Sequence, residues 1–159
     1  MSFKFTNERM KNVEELLTHY PADHKQAALL PILWEVQYQE GWISKEAMVE
    51  VARICGCTPA HVQEVVTFYT MYNQEPPAKY HLQVCRNICC WLRGAGETTQ
   101  YLEEKLGIKP GEMTEDRKFK LSEVECLAAC GGGPMMQVND DYQLNLTRES
   151  IDKLLKDLK

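Results

Sequence analysis

The stretch Tyr80-His-Leu-Gln-Val-Cys85-Arg-Asn-Ile-Cys89-Cys90 joins a strand pattern directly to three cysteines. Apolar and polar side chains alternate over residues 80–84, which predicts a β-strand that ends at Cys85. A helical pattern over residues 91–106 and a second strand pattern over residues 119–124 come next. This order predicts a βαβ unit, in which the two strands run parallel.

The sequence that follows the second strand pattern predicts a hairpin and a final helix. Short strands are expected over residues 135–138 and 142–146, joined by the turn Asn139-Asp-Asp141. Thr147 then caps a last helix that has one apolar face. Residues 75–159 therefore predict a βαββα domain, which is the minimal thioredoxin-like arrangement.

The first half predicts a bundle of helices over residues 1–74, because apolar residues recur there with a helical period. Pro31 lacks the backbone N–H that a helix needs, so the second helix is expected to bend there. The chain is thus predicted to be an α+β protein, an N-terminal helical bundle followed by the thioredoxin-like domain. The four helices are expected over residues 7–21, 24–40, 45–55 and 59–72, and a linker over residues 73–78.

Cysteine is the residue type that points to chemistry. The chain has seven cysteines, an odd number, and its N-terminus shows no apolar signal segment. We therefore expect reduced or metal-bound thiols in a cytoplasmic chain, and no disulfide framework. Because the parallel strands of a βαβ unit end on the same side, the loops that follow them should meet. Five cysteines lie in these two loops: Cys85, Cys89, Cys90, Cys126 and Cys130.

The spacing of these cysteines leaves three alternatives open: a 2Fe–2S cluster, a structural zinc ion, and thiols without metal. The wide gaps Cys85-x4-Cys90 and Cys126-x3-Cys130 favour the cluster, since zinc sites close with shorter gaps and often use histidine. The chain contains no C-x-x-C pair, which disfavours thiol–disulfide catalysis. Cys89 is ambiguous, and a spare thiol beside the site is the preferred interpretation.

Three further expectations concern the surroundings of these cysteines and the first half of the chain. The glycines of Gly131-Gly-Gly133 should let backbone N–H groups turn towards sulfur. Cys55 and Cys57 should be small buried side chains at a turn. The aromatic residues of the first half, Trp34, Tyr38 and Trp42 and those over residues 68–72, have two interpretations, an exposed partner surface and the core, and their helical spacing favours the core.

Composition excludes several classes of function. Lys and Arg number 18 against 23 Asp and Glu, a net charge of −5 that disfavours nucleic-acid binding. The longest apolar stretch is broken at Pro31 and Glu35, so direct membrane insertion is not expected. No glycine-rich phosphate loop occurs, and any nucleotide should therefore bind to another subunit.

The cysteine segments resemble those of a known family. Cys85-Arg-Asn-Ile-Cys-Cys90-Trp-Leu-Arg-Gly, Glu123-Val-Glu-Cys126-Leu-Ala-Ala-Cys130 and Pro134-Met-Met-Gln-Val-Asn are similar to the 2Fe–2S flavoprotein-fragment subunit of NADH–quinone oxidoreductase (respiratory complex I). The helical half resembles the N-terminal part of that subunit. Two positions depart from the family, which usually has glycine in place of Ala128 and alanine in place of Gly133.

The resemblance implies that Cys85, Cys90, Cys126 and Cys130 hold one 2Fe–2S cluster. It also implies a larger partner flavoprotein subunit, which binds FMN, NADH and a 4Fe–4S cluster, within the peripheral arm of complex I. The cluster of this chain would accept one electron from FMN, off the main relay to quinone, so the isolated chain is expected to be an electron carrier.

The implied location is cytoplasmic, peripheral to the inner membrane through the complex, and on the matrix side if the chain is mitochondrial. One alternative is the equivalent diaphorase subunit of an NAD-linked hydrogenase or formate dehydrogenase. The other, of a different class, is a structural zinc-binding interaction module.

Overall fold

The computed structural model describes residues 2–158. The chain divides into two compact units, the first ending at Pro76 and the second beginning at Pro77, and each has a hydrophobic core of its own. That residues 1–74 and 75–159 fold as separate domains stays a prediction. Within residues 2–158, every helix is too short or too polar to cross a membrane.

The first unit is helical, as its apolar periodicity predicts. Side-chain oxygens of Thr6, Ser44 and Thr58 accept hydrogen bonds from backbone N–H groups in the first turns of the helices that follow them. Gly41 and Gly56 end two helices in the left-handed conformation, with φ of 79° and 68°. The helices are α1 (Asn7–Thr18), α2 (Leu29–Glu40), α3 (Lys45–Cys55) and α4 (Pro59–Phe68), and a 3₁₀ turn covers Lys25–Ala28.

Two helix boundaries in this unit differ from the sequence prediction. Helix α2 begins at Leu29, so Pro31 lies in its first turn, where a missing N–H removes no helical hydrogen bond. The expectation that Pro31 lies in the interior of the second helix and bends it is therefore wrong. Helix α4 ends at Phe68 and not at residue 72. Tyr72 instead donates a hydrogen bond from its hydroxyl to the Leu30 carbonyl oxygen over 2.9 Å.

Cysteine and aromatic side chains of the first unit divide between core and surface. Tyr72 and Cys55 are buried, as predicted, whereas Cys57 is only half-buried, so the expectation of burial is wrong for Cys57. Burial raises the pKa of the Cys55 thiol to about 11, which keeps it protonated and unreactive at neutral pH. Phe68 and Tyr38 are 78% and 60% exposed, so the expectation of a mostly buried aromatic group is wrong for these two residues.

The second unit is a four-stranded sheet with helices. The strand order is β2-β1-β3-β4, with β1 parallel to β2 and the pairs β1–β3 and β3–β4 antiparallel. This confirms the predicted parallel βαβ unit, hairpin and final helix. The elements are β1 (Tyr80–Cys85), α5 (Ile88–Leu92), α6 (Ala95–Leu106), β2 (Phe119–Val124), β3 (Met136–Val138), β4 (Asp141–Gln143) and α7 (Arg148–Asp157).

The crossover between the parallel strands departs from the prediction in one respect. The single helix expected over residues 91–106 is two helices, because Gly94 has a φ of 95° that breaks the helical backbone. Helix α5 begins earlier, at Ile88, whose N–H donates to the side-chain oxygen of Asn87. Cys89 and Cys90 therefore lie on a short helix and not in a loop.

Candidate metal centre

Parallel pairing of β1 and β2 brings the two cysteine-bearing segments side by side. In this pairing Tyr80 lies opposite Phe119 and Cys85 lies opposite Val124. Both strands therefore end at the same edge of the sheet. Cys85 ends β1, and Cys126 lies just beyond the end of β2. The predicted meeting of the two segments is confirmed by the contacts between them.

Two arginines of the first segment fasten it to the second. Arg86 donates from Nη2 and Nε to Glu125 Oε1 over 2.7 and 3.0 Å. Arg93 donates from Nη1 to the carbonyl oxygens of Cys130 and Gly131 over 3.3 and 3.2 Å. Sequence reasoning missed both arginines. The sequence signal that could have identified them is their position: Arg86 directly follows Cys85, and Arg93 lies three residues after Cys90.

The sulfur-bearing residues form an inner and an outer group. Cys85 and Cys90 are buried, each 2% exposed, in a small core with Ala95 and Met135. Three others, Cys89, Cys126 and Cys130, are exposed. One side of the site thus faces the protein interior and the other faces solvent.

Within each group the thiols interact directly. Burial raises the pKa of the Cys90 thiol to about 11, and its hydrogen bond with Cys85 adds to the rise. The hydrogen bond and charge of Cys89 raise the pKa of Cys130, and Cys126 acts in the same direction. The raised pKa values favour the protonated forms of Cys90 and Cys130, and binding of a metal would displace these protons.

The donor set fits a 2Fe–2S cluster. Cys85 and Cys90 lie together on the inner side, and Cys89, Cys126 and Cys130 lie together on the outer side, so two thiolates are available for each of two irons. Across the described part of the chain, no three His, Cys, Asp or Glu side chains are gathered tightly enough to hold one metal ion. Cys89 also contacts Cys130, so the ligand set Cys85, Cys90, Cys126 and Cys130 stays a prediction.

The N–H groups of Gly132 and Gly133 do not point to sulfur. The N–H groups of Gly132 and Gly133 donate to the carbonyl oxygens of Ala129 and Cys130, within a 3₁₀ turn. The expectation that these glycine N–H groups turn towards sulfur is therefore wrong for both. Instead, the Ala128 N–H donates to Cys126 Sγ over 3.3 Å.

Both departures from the family pattern lie at special backbone positions. Ala128 has a φ of 59°, a conformation that glycine adopts without steric cost and alanine does not. Gly133 passes close to the inner sulfurs: a methyl group added there would lie 3.3 Å from Cys90 Sγ and 3.5 Å from Arg93 Cδ. An alanine at residue 133 would therefore require Cys90 Sγ to shift by a few tenths of an ångström, whereas its contact with Arg93 Cδ would be an ordinary van der Waals contact.

Comparison with known families identifies this constellation. A sequence model of the thioredoxin-like 2Fe–2S ferredoxins matches residues 13–159, which is most of the chain. The chain belongs to this ferredoxin family. Its family membership agrees with the paired cysteines, and a 2Fe–2S cluster is the cofactor that gives the family its name.

Two curated relatives of this ferredoxin are named as an NADH dehydrogenase flavoprotein and as an NADH-quinone oxidoreductase subunit. NADH dehydrogenase (ubiquinone) flavoprotein 2, mitochondrial, of Dictyostelium discoideum is 46% identical over 99% of this chain and 64% of its own length. NADH-quinone oxidoreductase subunit 2 of Thermus thermophilus is 44% identical over 98% of this chain and 86% of its own length. The chain thus spans slightly under two thirds of the first relative and most of the second.

A solved structure shares the fold of the ferredoxin. It is the NAD+-reducing NiFe-hydrogenase in the H2-reduced state, with a TM-score of 0.74 and 21% identity, matched over 82% of this chain and 22% of the hydrogenase chain. At this identity the likeness shows the fold alone.

Proposed function

We propose that this chain is the electron-transfer subunit of an NADH–quinone oxidoreductase, in which it accepts single electrons from the FMN of a partner flavoprotein subunit. One observation carries the proposal: two cysteine-bearing segments meet at one edge of the sheet in a chain 44% identical to a subunit of such an enzyme. A bound 2Fe–2S cluster supplies one-electron chemistry, at roughly −400 mV in plant-type ferredoxins, which suits reduced flavin.

The cysteine pairs have different tasks in this proposal. Buried Cys85 and Cys90 form the inner wall of the site, where Met135 and Ala95 exclude water from their sulfurs. Exposed Cys126 and Cys130 form the outer wall. Electrons therefore enter from the outer side, where a partner subunit can approach the sulfurs closely.

An apolar surface beside the outer cysteines supports docking of the partner. Helix α5 exposes Ile88, Trp91 and Leu92 by 65%, 64% and 71%. Large apolar side chains grouped on a surface mark interaction sites more often than free surface. We assign this face to the flavoprotein subunit that binds NADH, FMN and a 4Fe–4S cluster.

The complex sets the location of the chain in this proposal. As one subunit of the peripheral arm, the chain lies against the cytoplasmic face of the inner membrane, or on the matrix side if it is mitochondrial. Its attachment to the membrane runs through the other subunits.

The hydrogenase alternative has less support. Its basis is a structural likeness at 21% identity, whereas the NADH-quinone oxidoreductase relative is more than twice as similar in sequence. A diaphorase subunit of a hydrogenase would use the same cysteine site and exchange electrons with the same kind of flavin partner. The two functions therefore differ only in the terminal electron acceptor of the complex.

The test is reduction of the cluster by NADH in a complex co-purified with the flavoprotein subunit encoded by the same organism. Freeze-quenched EPR after NADH addition should show a new spin-half signal from this chain. The matched control is the complex with a Cys90→Ser chain, in which that signal should be absent. A flavin that is fully reduced by NADH while the wild-type site stays EPR-silent and contains zinc would contradict the proposal.

A further inference from the structure

Arg93 differs from the other site arginine in what it binds. Its guanidinium donates to two neutral carbonyl oxygens, those of Cys130 and Gly131. Arg86 instead forms a salt bridge with Glu125, in which Nη2 and Oε1 lie 2.7 Å apart. Among the salt bridges of residues 2–158, none involves Arg93. Its positive charge is therefore not neutralised by a carboxylate partner in that part of the chain.

The Arg93 side chain lies near one cysteine of each pair. Arg93 Cδ and Cys90 Sγ lie within 3.5 and 3.3 Å of the same point, the place where a side chain on Gly133 would begin. The other end of the side chain touches the carbonyl of Cys130, an outer cysteine. Arg93 thus spans from the inner sulfur to the outer segment.

The position of Arg93 is fixed by the break between two helices. It lies between the end of α5 at Leu92 and Gly94, whose φ of 95° lets α6 start in a new direction. Helix α5 therefore presents Cys90 to the site while the next residues present the guanidinium to the Cys130–Gly132 turn. One short segment therefore supplies both the Cys90 sulfur and the Arg93 guanidinium.

We propose that Arg93 is a positioning residue that holds the second cysteine segment against the first and raises the reduction potential of the cluster. The inference rests on the proposed 2Fe–2S site. Reduction adds one electron, and hence one negative charge, to a cluster that already carries four thiolates. A cation held on the Cys130–Gly131 backbone stabilises the reduced form more than the oxidised form, and net charge and hydrogen bonding are among the factors that set such potentials.

Three variants of the cluster-loaded full chain separate charge from shape. Arg93→Gln removes the charge, and Arg93→Lys keeps it but loses the planar fork that reaches two carbonyls. Lys118→Gln is the control, because it makes the same change in net charge far from the site. Lys118 lies at the opposite end of β2, about 20 Å from the cysteines if each strand residue spans about 3.3 Å. The measurement is a potentiometric titration followed by EPR.

The expected result is a lower midpoint potential for Arg93→Gln alone. Arg93 is exposed and solvent screens its charge in part, so removal of the charge should change the ratio of reduced to oxidised cluster by at most about tenfold at fixed potential, which is about 59 mV for one electron. Arg93→Lys should stay nearer the wild type in potential but lose iron faster to a chelator. Lys118→Gln should match the wild type in both respects.

Two outcomes would overturn the inference. One is an Arg93→Gln chain with wild-type potential, and the other is an Arg93→Lys chain whose potential falls as far as that of Arg93→Gln. If Arg93→Gln does not retain iron, an Arg93→Lys potential equal to that of the wild type supports the inference, because lysine keeps the charge, and a fall of about 59 mV or more overturns it. Hydrogen exchange gives an independent readout: the amides of Gly132 and Gly133 should exchange faster in both Arg93 variants. Failure of the proposed function looks different, since the wild-type chain itself would then contain no iron.

Discussion

Ala128 provides a quantitative test of the backbone in the second cysteine segment. Its φ of 59° lies in the left-handed region, although it is not a glycine. The side chain is exposed, so its removal sacrifices little packing. Replacing Ala128 with glycine should therefore relieve strain without opening a cavity.

The expected gain follows from two opposing terms. An alanine in the left-handed region costs about 1–2 kcal/mol. Glycine also increases the conformational entropy of the unfolded chain, which lowers the free energy of unfolding by about 0.4–1 kcal/mol. Ala128→Gly should thus raise the free energy of unfolding by about 0.5–1 kcal/mol.

The neighbouring residue supplies a matched control. Ala129 has a φ of −115° and packs against the small core around Cys85 and Cys90. Ala129→Gly carries the same entropy cost without relief of strain, so it should lower the free energy of unfolding. Equilibrium urea unfolding of the reduced, cluster-free chain, followed by far-UV circular dichroism, measures both variants. If Ala128→Gly destabilises the chain as much as Ala129→Gly does, the strain at residue 128 is refuted.

Four further predictions test other parts of the account. Cys90→Ser should abolish the visible spectrum of the cluster and Cys55→Ser should preserve it; bleaching by both would contradict the separation of site from core. Gly133→Ala should shift the EPR g-values, because the added methyl group lies 3.3 Å from the Cys90 sulfur, and an identical spectrum would argue against that contact. Trp91→Glu should weaken binding to the flavoprotein subunit in pull-down assays with no change in iron content, whereas wild-type binding would exclude this docking face. Burial lowers the pKa of His81 to about 4, below its unfolded value near 6.5, so the unfolded state binds the proton first. Stability should therefore fall as the pH drops from 6.5 to 4, by up to about 1.4 kcal/mol per pH unit, and His81→Gln should flatten this part of the urea-unfolding profile.

The sequence predicts the sheet and the meeting of the cysteine segments because both depend on regular patterns. Alternation over residues 80–84 and 119–124 identifies two strands, and the helix between them makes these strands parallel. Once the strands are parallel, the cysteines that follow them must meet. Local rules of chain geometry therefore suffice for this part of the fold.

Details that depend on single backbone angles were less predictable. The helix break at Gly94 lies inside a continuous apolar period, so the periodicity gives no sign of it. Ala128 adopts a conformation that alanine rarely takes, and its type therefore points away from the observed angle. The hydrogen bonds of Arg93 to carbonyl oxygens arise only after the two segments have come together, so their residue types do not reveal them.

The most direct test of the central claim is a metal count with EPR on the anaerobically purified full chain, before and after dithionite. The account predicts two irons and two sulfides per chain and a spin-half signal that appears only on reduction. A colourless chain that contains one zinc ion and no iron would contradict it.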